Sequence, residues 1–165
     1  MRARFLRLAQ QLDRGARAVC GTAALLLVGL VLTIVVLRYG FGTGTVRLQD
    51  AAAYAFAVFL IFSLPVCMAQ GGHVRVEALS ERLPPGYLRA ADRVALVLFL
   101  IPVFGLIIWA GWSDLAYAWR VREGSVSTGG LPGLFLVRTA MPIAAFLMIV
   151  QGTAAVLRPA TPAPQ

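Results

Sequence analysis

The sequence contains no lysine, one histidine (His73) and two cysteines (Cys20 and Cys67), and only seven acids stand against fifteen arginines. Each shortage excludes a class of chemistry. A single histidine cannot supply bis-histidine haem ligation, which removes the four-helix cytochrome b design. Cys20 and Cys67 lie far apart with no C-x-x-C pair, and they read as small apolar filler. There is no phosphate-cradling glycine loop, no G-x-S-x-G and no H-E-x-x-H. His73 and Glu77 stand four residues apart, yet a metal held there would still lack ligands. Nor does an acid fall at the centre of any apolar run, where a self-sufficient pump would need one to bind a proton or sodium ion. No cofactor and no catalytic activity are expected.

Charged residues make up 13% and hydrophobic residues 59%, whereas a soluble domain carries about 25% charge. The apolar residues come in four blocks, at 18–37, 51–69, 94–116 and 134–157, and about 20 such residues cross a bilayer as helix. A lipid-facing backbone must satisfy its hydrogen bonds within the segment, so each block reads as helix, and the short alternating strands of a barrel are absent. Pro65, Pro102 and Pro142 fall inside blocks two to four, where neighbouring helices tolerate a kink. The first block is longer than a secretory signal and no small-residue cleavage site follows it, so it reads as a retained span. The expected fold is an all-α integral membrane protein of four transmembrane helices with short amphipathic interfacial helices.

Arginine sets the orientation. Ten arginines precede span one, lie between spans two and three, or follow span four, and Arg38, Arg47, Arg120, Arg122 and Arg138 lie on the other side. The positive-inside rule places both termini and the middle connection in the cytoplasm. The net charge of +8 then reflects topology and anionic headgroups rather than nucleic acid, since no soluble segment is long enough to build a folded basic surface. Residues 1–17 set Phe5, Leu8, Leu12 and Ala16 at helical spacing among arginines, which suits a helix lying in the cytoplasmic interface; a frayed basic tail is the alternative. The segment 158–165 is proline-rich and reads as disordered. Asp114 and Arg138 lie near the outer ends of spans three and four; either they pair, or both sit at the interface within an aromatic belt of Trp109, Trp112, Tyr117 and Trp119.

Between spans two and three, "QGGHVRVEALSERLPPG" (70–86) places Val76, Leu79 and Leu83 on one helical face, and Pro84-Pro85-Gly86 ends the run. This reads as a short amphipathic helix in the headgroup region, or as a plain charged connector. On span two, Ala51, Ala55 and Val58 make a strip suited to close helix approach, within the bundle or toward a partner. Phe56, Phe59 and Phe62 are open to lipid or to a partner subunit.

Read end to end, residues 18–158 resemble the small permease subunit, the DctQ-like component, of tripartite ATP-independent periplasmic (TRAP) transporters. The resemblance rests on "VVLRYGFGTG" with Arg38, "RLQDAAAYAFAVFLIFSLP" with Asp50, "GGHVRVEAL" with Gly72, His73, Arg75 and Glu77, and "REGSVSTGGLPGLFLVRTAMPIAAFLMIVQG" with Glu123 and Gln151. Gln49 stands where relatives carry a second acid, and Glu77 where Asp is usual. The resemblance implies two protein partners, a large multi-span permease that carries the substrate and sodium sites and a periplasmic solute-binding protein, in a bacterial inner membrane. It implies a bracing role for this chain, with Gly72, His73, Arg75 and Glu77 as a cytoplasmic scaffold anchor. Arg38, Asp50, Glu123 and Gln151 are then motif positions at span ends, and Arg47, Arg120 and Arg122 form a basic rim for docking the binding protein. Import would run on an ion gradient, usually sodium, with carboxylate-bearing solutes as cargo.

Overall fold

A computed structural model of the chain describes residues 2–70 and 93–157. The scaffold-anchor positions Gly72, His73, Arg75 and Glu77, the expected helix 73–83 and the tail 158–165 lie outside the described residues. Among the described residues, four helices are long and apolar enough to cross a membrane: α1 (Arg2–Gly40), α2 (Val46–Ala69), α3 (Arg93–Val121) and α4 (Leu134–Leu157). The fourth has the bounds expected from the sequence, and the others overrun their apolar blocks. Both ends of the described chain, Arg2 and Leu157, meet at one end of the bundle, where the Arg2 guanidinium donates from Nε to the Leu157 carbonyl at 2.9 Å. This is the terminal end. The opposite, hairpin end carries the α1–α2 turn and the loop between α3 and α4.

Local chemistry accounts for the helix boundaries. α1 stops at Gly40, and the Leu37 carbonyl collects the amides of Phe41 at 3.2 Å and Thr43 at 3.0 Å. Gly42 takes a left-handed φ of 64° to turn the chain, and α2 restarts after extended Thr45. α3 ends with Arg122 in the left-handed region, φ 48° and ψ 52°. The Glu123 amide then reaches back to the Ala118 carbonyl at 2.9 Å, the long closing bond of a Schellman-type end in which glycine is the usual occupant. Within α3, Leu96–Leu100 is wound as a wider π turn, with the Ile101 amide on the Leu96 carbonyl, just before Pro102. Proline cannot donate to the preceding turn, and such widened turns are one way a helix absorbs the break.

α1 packs along α2, α2 along α4, and α4 along α3, while α1 also touches α4. A shared core joins Ala16 of α1, Phe62 of α2, and Ala140 and Leu147 of α4, flanked by Leu12, Cys20, Val58, Ile61 and Val66. Phe62 is therefore core rather than a lipid- or partner-facing ring, whereas Phe56 is half exposed. α4 is the most enclosed helix, and its inner face is largely alanine: Ala140, Ala144, Ala145 and Ala154 are all buried. Small side chains let backbones approach closely where apolar burial gives no advantage over lipid. Gly152 is the tightest case on α4, because a Cβ there would lie 2.9 Å from the Leu100 side chain of α3.

The N-terminal segment departs from the drawing of a helix separate from span one. Residues 2–17 continue into the first span as one helix of 39 residues with no break at Arg17–Ala18. Its packed face is Ala9, Asp13 and Ala16, with Leu8 half exposed. Asp13 is thus a buried acid, paired with Arg17 one turn on. Counting charges in the sequence places no acid inside the apolar assembly; packing does, because α1 slides far enough along α4 to bring Asp13 beside it.

Candidate functional site

Among the described residues, two clusters gather polar side chains. The larger is at the hairpin end and is organised around the backbone of Leu131. Asp50, in the first turns of α2, accepts the Leu131 amide at Oδ2, 2.9 Å away. Tyr54, one turn later on the same face, donates its hydroxyl to the Leu131 carbonyl, also at 2.9 Å. That carbonyl also accepts the Ser125 amide at 3.0 Å, and Gly124 and Pro132 form a single antiparallel bridge beside it. Both polar groups of Leu131 are therefore held, and the α3–α4 loop is tied flat against α2. Residues four apart face the same way on a helix, so the Asp50–Tyr54 spacing alone makes a two-pronged holder.

The loop must come close for this to work. A Cβ on Gly130 would overlap the Asp50 carboxylate and lie 2.6 Å from Ser125, so only glycine fits there. The neighbouring Gly129 turns at φ 76°, and its carbonyl receives the Arg47 guanidinium at 3.4 Å. Glu123 bridges the ends of α3 and α4. Its backbone carbonyl accepts the Phe135 amide at 3.3 Å, which serves one of the unpaired donors at the start of α4. Its carboxylate Oε1 receives the Arg138 guanidinium at 2.8 Å. Arg138 therefore pairs with Glu123, and Asp114 is an exposed residue of α3. Trp119 seals the outer side by donating Nε1 to Thr139 at 3.0 Å and setting its ring edge-on to Phe135, with centroids 4.9 Å apart.

The second cluster is at the terminal end. Gln151 is 2% exposed and donates Nε2 to the Ala9 carbonyl of α1 at 2.8 Å. In a regular helix that carbonyl also serves the amide of Asp13, so the Gln151 side chain lies beside the turn that carries Asp13. Gln151 lies in the last two turns of α4, faces protein, and fastens the N-terminal half of α1. Asp13 Oδ1 and Gln151 Oε1 are both buried without a hydrogen-bond partner.

The sequence positions fare differently. Asp50 and Glu123, 73 residues apart in the chain, converge on one loop. Arg47 joins them through Gly129. Arg38 is exposed in the last turn of α1, where a cation suits the helix dipole. Arg120 and Arg122 are exposed at the end of α3, near the clasp but outside its bonds. Tyr54, Gly130 and Asp13 carry weight that motif reading did not assign. For Tyr54 the signal was available in its four-residue spacing from Asp50, while Gly130 and Asp13 depend on long-range approach.

The arrangement positions chain on chain. Each described motif acid is used on a backbone or arginine donor. An open apolar groove of about 600 Å³ between α3 and α4, lined by Trp112, Trp119, Pro142 and Phe146 among others, offers a solute few polar groups to meet. Trp109, Trp112, Tyr117 and Trp119 are all substantially exposed on α3, as an interfacial belt requires.

Comparison with known proteins agrees with this architecture. The family model for the DctQ component of tripartite ATP-independent periplasmic transporters matches residues 27–161. No curated protein and no solved structure matches the chain. The family match covers most of the sequence, and the chain belongs to the DctQ family: it is a small membrane component of a TRAP transporter.

Proposed function

We propose that this DctQ member is the non-catalytic small subunit of a secondary-active importer, bracing the scaffold of the large permease while an organic acid, delivered by a periplasmic binding protein, is carried in on an ion gradient, sodium in the first instance. In this reading it is a multi-pass protein of a bacterial inner membrane, with both termini cytoplasmic and the hairpin end periplasmic. The observation that supports a bracing role is where the motif residues spend their bonds. Asp50 and Glu123 hold the α3–α4 loop, and Gln151 holds the first helix. A chain whose polar motif positions stiffen its own frame suits a scaffold better than a solute path.

Arg120 and Arg122 point the same way, since they flank a loop held rigidly by the clasp and present positive charge to the periplasmic side. An anchored basic rim suits an acidic docking face on the binding protein, where charge complementarity governs encounter and register. The Gly72, His73, Arg75 and Glu77 segment is the cytoplasmic counterpart, contacting headgroups and the large subunit.

The test is purification. A tagged chain extracted in mild detergent is expected to bring with it a multi-span permease in fixed stoichiometry. Deletion of the chain is expected to abolish solute uptake. Recovery of the chain alone, after crosslinking in intact membranes as well, together with unchanged uptake on deletion, would overturn the assignment in favour of an independent membrane protein.

A further inference from the structure

The joint between the first half of α1 and the last turns of α4 carries two buried acceptors. Asp13 is 5% and Gln151 2% exposed, and neither Asp13 Oδ1 nor Gln151 Oε1 has a hydrogen-bond partner among the described residues. A buried acceptor left bare costs more than an average hydrogen bond contributes, and two in one joint call for a shared donor. Their positions converge. The Gln151 amide is fixed by its nitrogen, which donates to the Ala9 carbonyl at 2.8 Å; turning the amide over would set oxygen against oxygen. Side chains on a helix lean toward its N-terminus, so the Asp13 carboxylate lies over the turn that begins at Ala9, where the Gln151 amide stands. Arg17 holds Oδ2 from the following turn, which leaves Oδ1 on the side of Ala9 and Gln151.

The surroundings select the donor. Ala9 and Ala16 stand three or four residues from Asp13 on α1, and Leu147, Met148 and Ala154 stand at the same spacings from Gln151 on α4. All five are buried, and none has a side-chain donor. Ala9, Ala16 and Ala154 end in a methyl group, so the wall of the joint suits a ligand of one heavy atom. A metal cation would answer both oxygens. Arg17 already balances the Asp13 charge, however, and a second positive charge would be buried without a partner. Water is neutral, has two hydrogens to give, and is held inside proteins by about two to four polar partners.

We propose that one internal water is a permanent part of this joint, donating one hydrogen to Asp13 Oδ1 and the other to Gln151 Oε1. Fixing a water offsets much of what its bonds contribute, so the site sets position more than it adds stability. Sliding α1 along α4 by one residue, about 1.5 Å, would part the two oxygens from their shared donor. The water therefore holds the first helix in register with the fourth, beside the direct Gln151–Ala9 and Arg2–Leu157 bonds.

The test is transfer of magnetisation from water to the whole chain, labelled with nitrogen-15 and held in lipid nanodiscs, with the Gln151 side-chain signals identified by their loss in Gln151→Leu. The Gln151 side-chain amide should receive magnetisation several-fold faster than the backbone amides of Ala144 and Ala145, which are buried on the same helix away from the joint. The excess should be the same at two values of pH, which separates a resident water from exchange of the amide hydrogens themselves. Transfer to Gln151 no faster than to Ala144 and Ala145, or an excess that follows pH, would overturn the site. Asp13→Leu, with circular dichroism confirming retained helix, should remove the excess, and an excess that survives it would place the water away from Asp13 and overturn the assignment. The measurement on the unaltered chain decides alone if that variant does not fold. Gln151 signals that shift when sodium chloride is replaced by choline chloride would put a cation at the joint and overturn the water. None of these outcomes bears on membership of the transporter family.

Discussion

Replacing Asp50 with alanine should release the α3–α4 loop without unfolding the bundle. The bond lost is a carboxylate accepting the Leu131 amide at 2.9 Å, and hydrogen bonds to charged groups contribute about 1.5–3 kcal/mol. Asp50 and Leu131 are both half-buried rather than enclosed, so water replaces part of the loss, and the lower portion, about 1.5–2 kcal/mol, applies. Local opening at Leu131 should then become about 10- to 30-fold more frequent. Hydrogen exchange with fragmentation to single amides reads this directly: the Leu131 amide should lose that much protection, whereas amides of α1 and α4 near Ala9 and Gln151 should change little. Asp50→Asn keeps a neutral acceptor and should cost only a fewfold change. Tyr54→Phe removes the other prong, and the double variant should be non-additive because both side chains hold the same residue. A change at Leu131 below about twofold, or an equal rise throughout the bundle, would refute the clasp as the element that fixes the loop.

Four further outcomes test other parts of the structure. Gly130→Ala should displace the loop more than Asp50→Ala does, since the new methyl group would overlap Asp50 and stand 2.6 Å from Ser125; the same exchange measurement compares them. Gln151→Leu should change stability by less than about 1 kcal/mol, because it deletes a bond to Ala9 but also a buried oxygen with no partner. Gln151→Ala should cost about 2–4 kcal/mol through the cavity it leaves, with thermal unfolding in detergent separating the two. Arg122→Gly should raise stability by about 0.5–1 kcal/mol by relieving a left-handed arginine at φ 48°. Arg120→Glu with Arg122→Glu should weaken binding-protein-dependent uptake, and uptake that is unchanged in that double variant removes the docking rim.

The spans were legible because lipid leaves the backbone one way to satisfy its own hydrogen bonds, so a long charge-free run already implies a helix. Leu134–Leu157 needed no tertiary information. Part of the clasp was legible for the same local reason: Asp50 and Tyr54 are four apart on one helix, and the glycine pair before Leu131 marks a turn. What they hold was not legible, since Leu131 contributes through its backbone and any residue carries those two groups. The partner of Arg138 illustrates the same limit. Asp114 is a matching acid at a plausible depth, but the left-handed turn at Arg122 brings Glu123 over the start of α4 and the ion pair forms there.

By itself, then, the amino-acid order determined the class, the number of spans and the two ends at which polar residues collect, all of which follow from local hydropathy and hydrogen-bond satisfaction. Register between helices was decided only by tertiary packing. Apolar side chains gain little from one another in lipid, so the fit of small residues such as Ala16, Ala140 and Gly152 sets how far each helix slides along its neighbour. That sliding buries Asp13 and draws Gln151 onto Ala9, and no one-dimensional reading of hydropathy contains it.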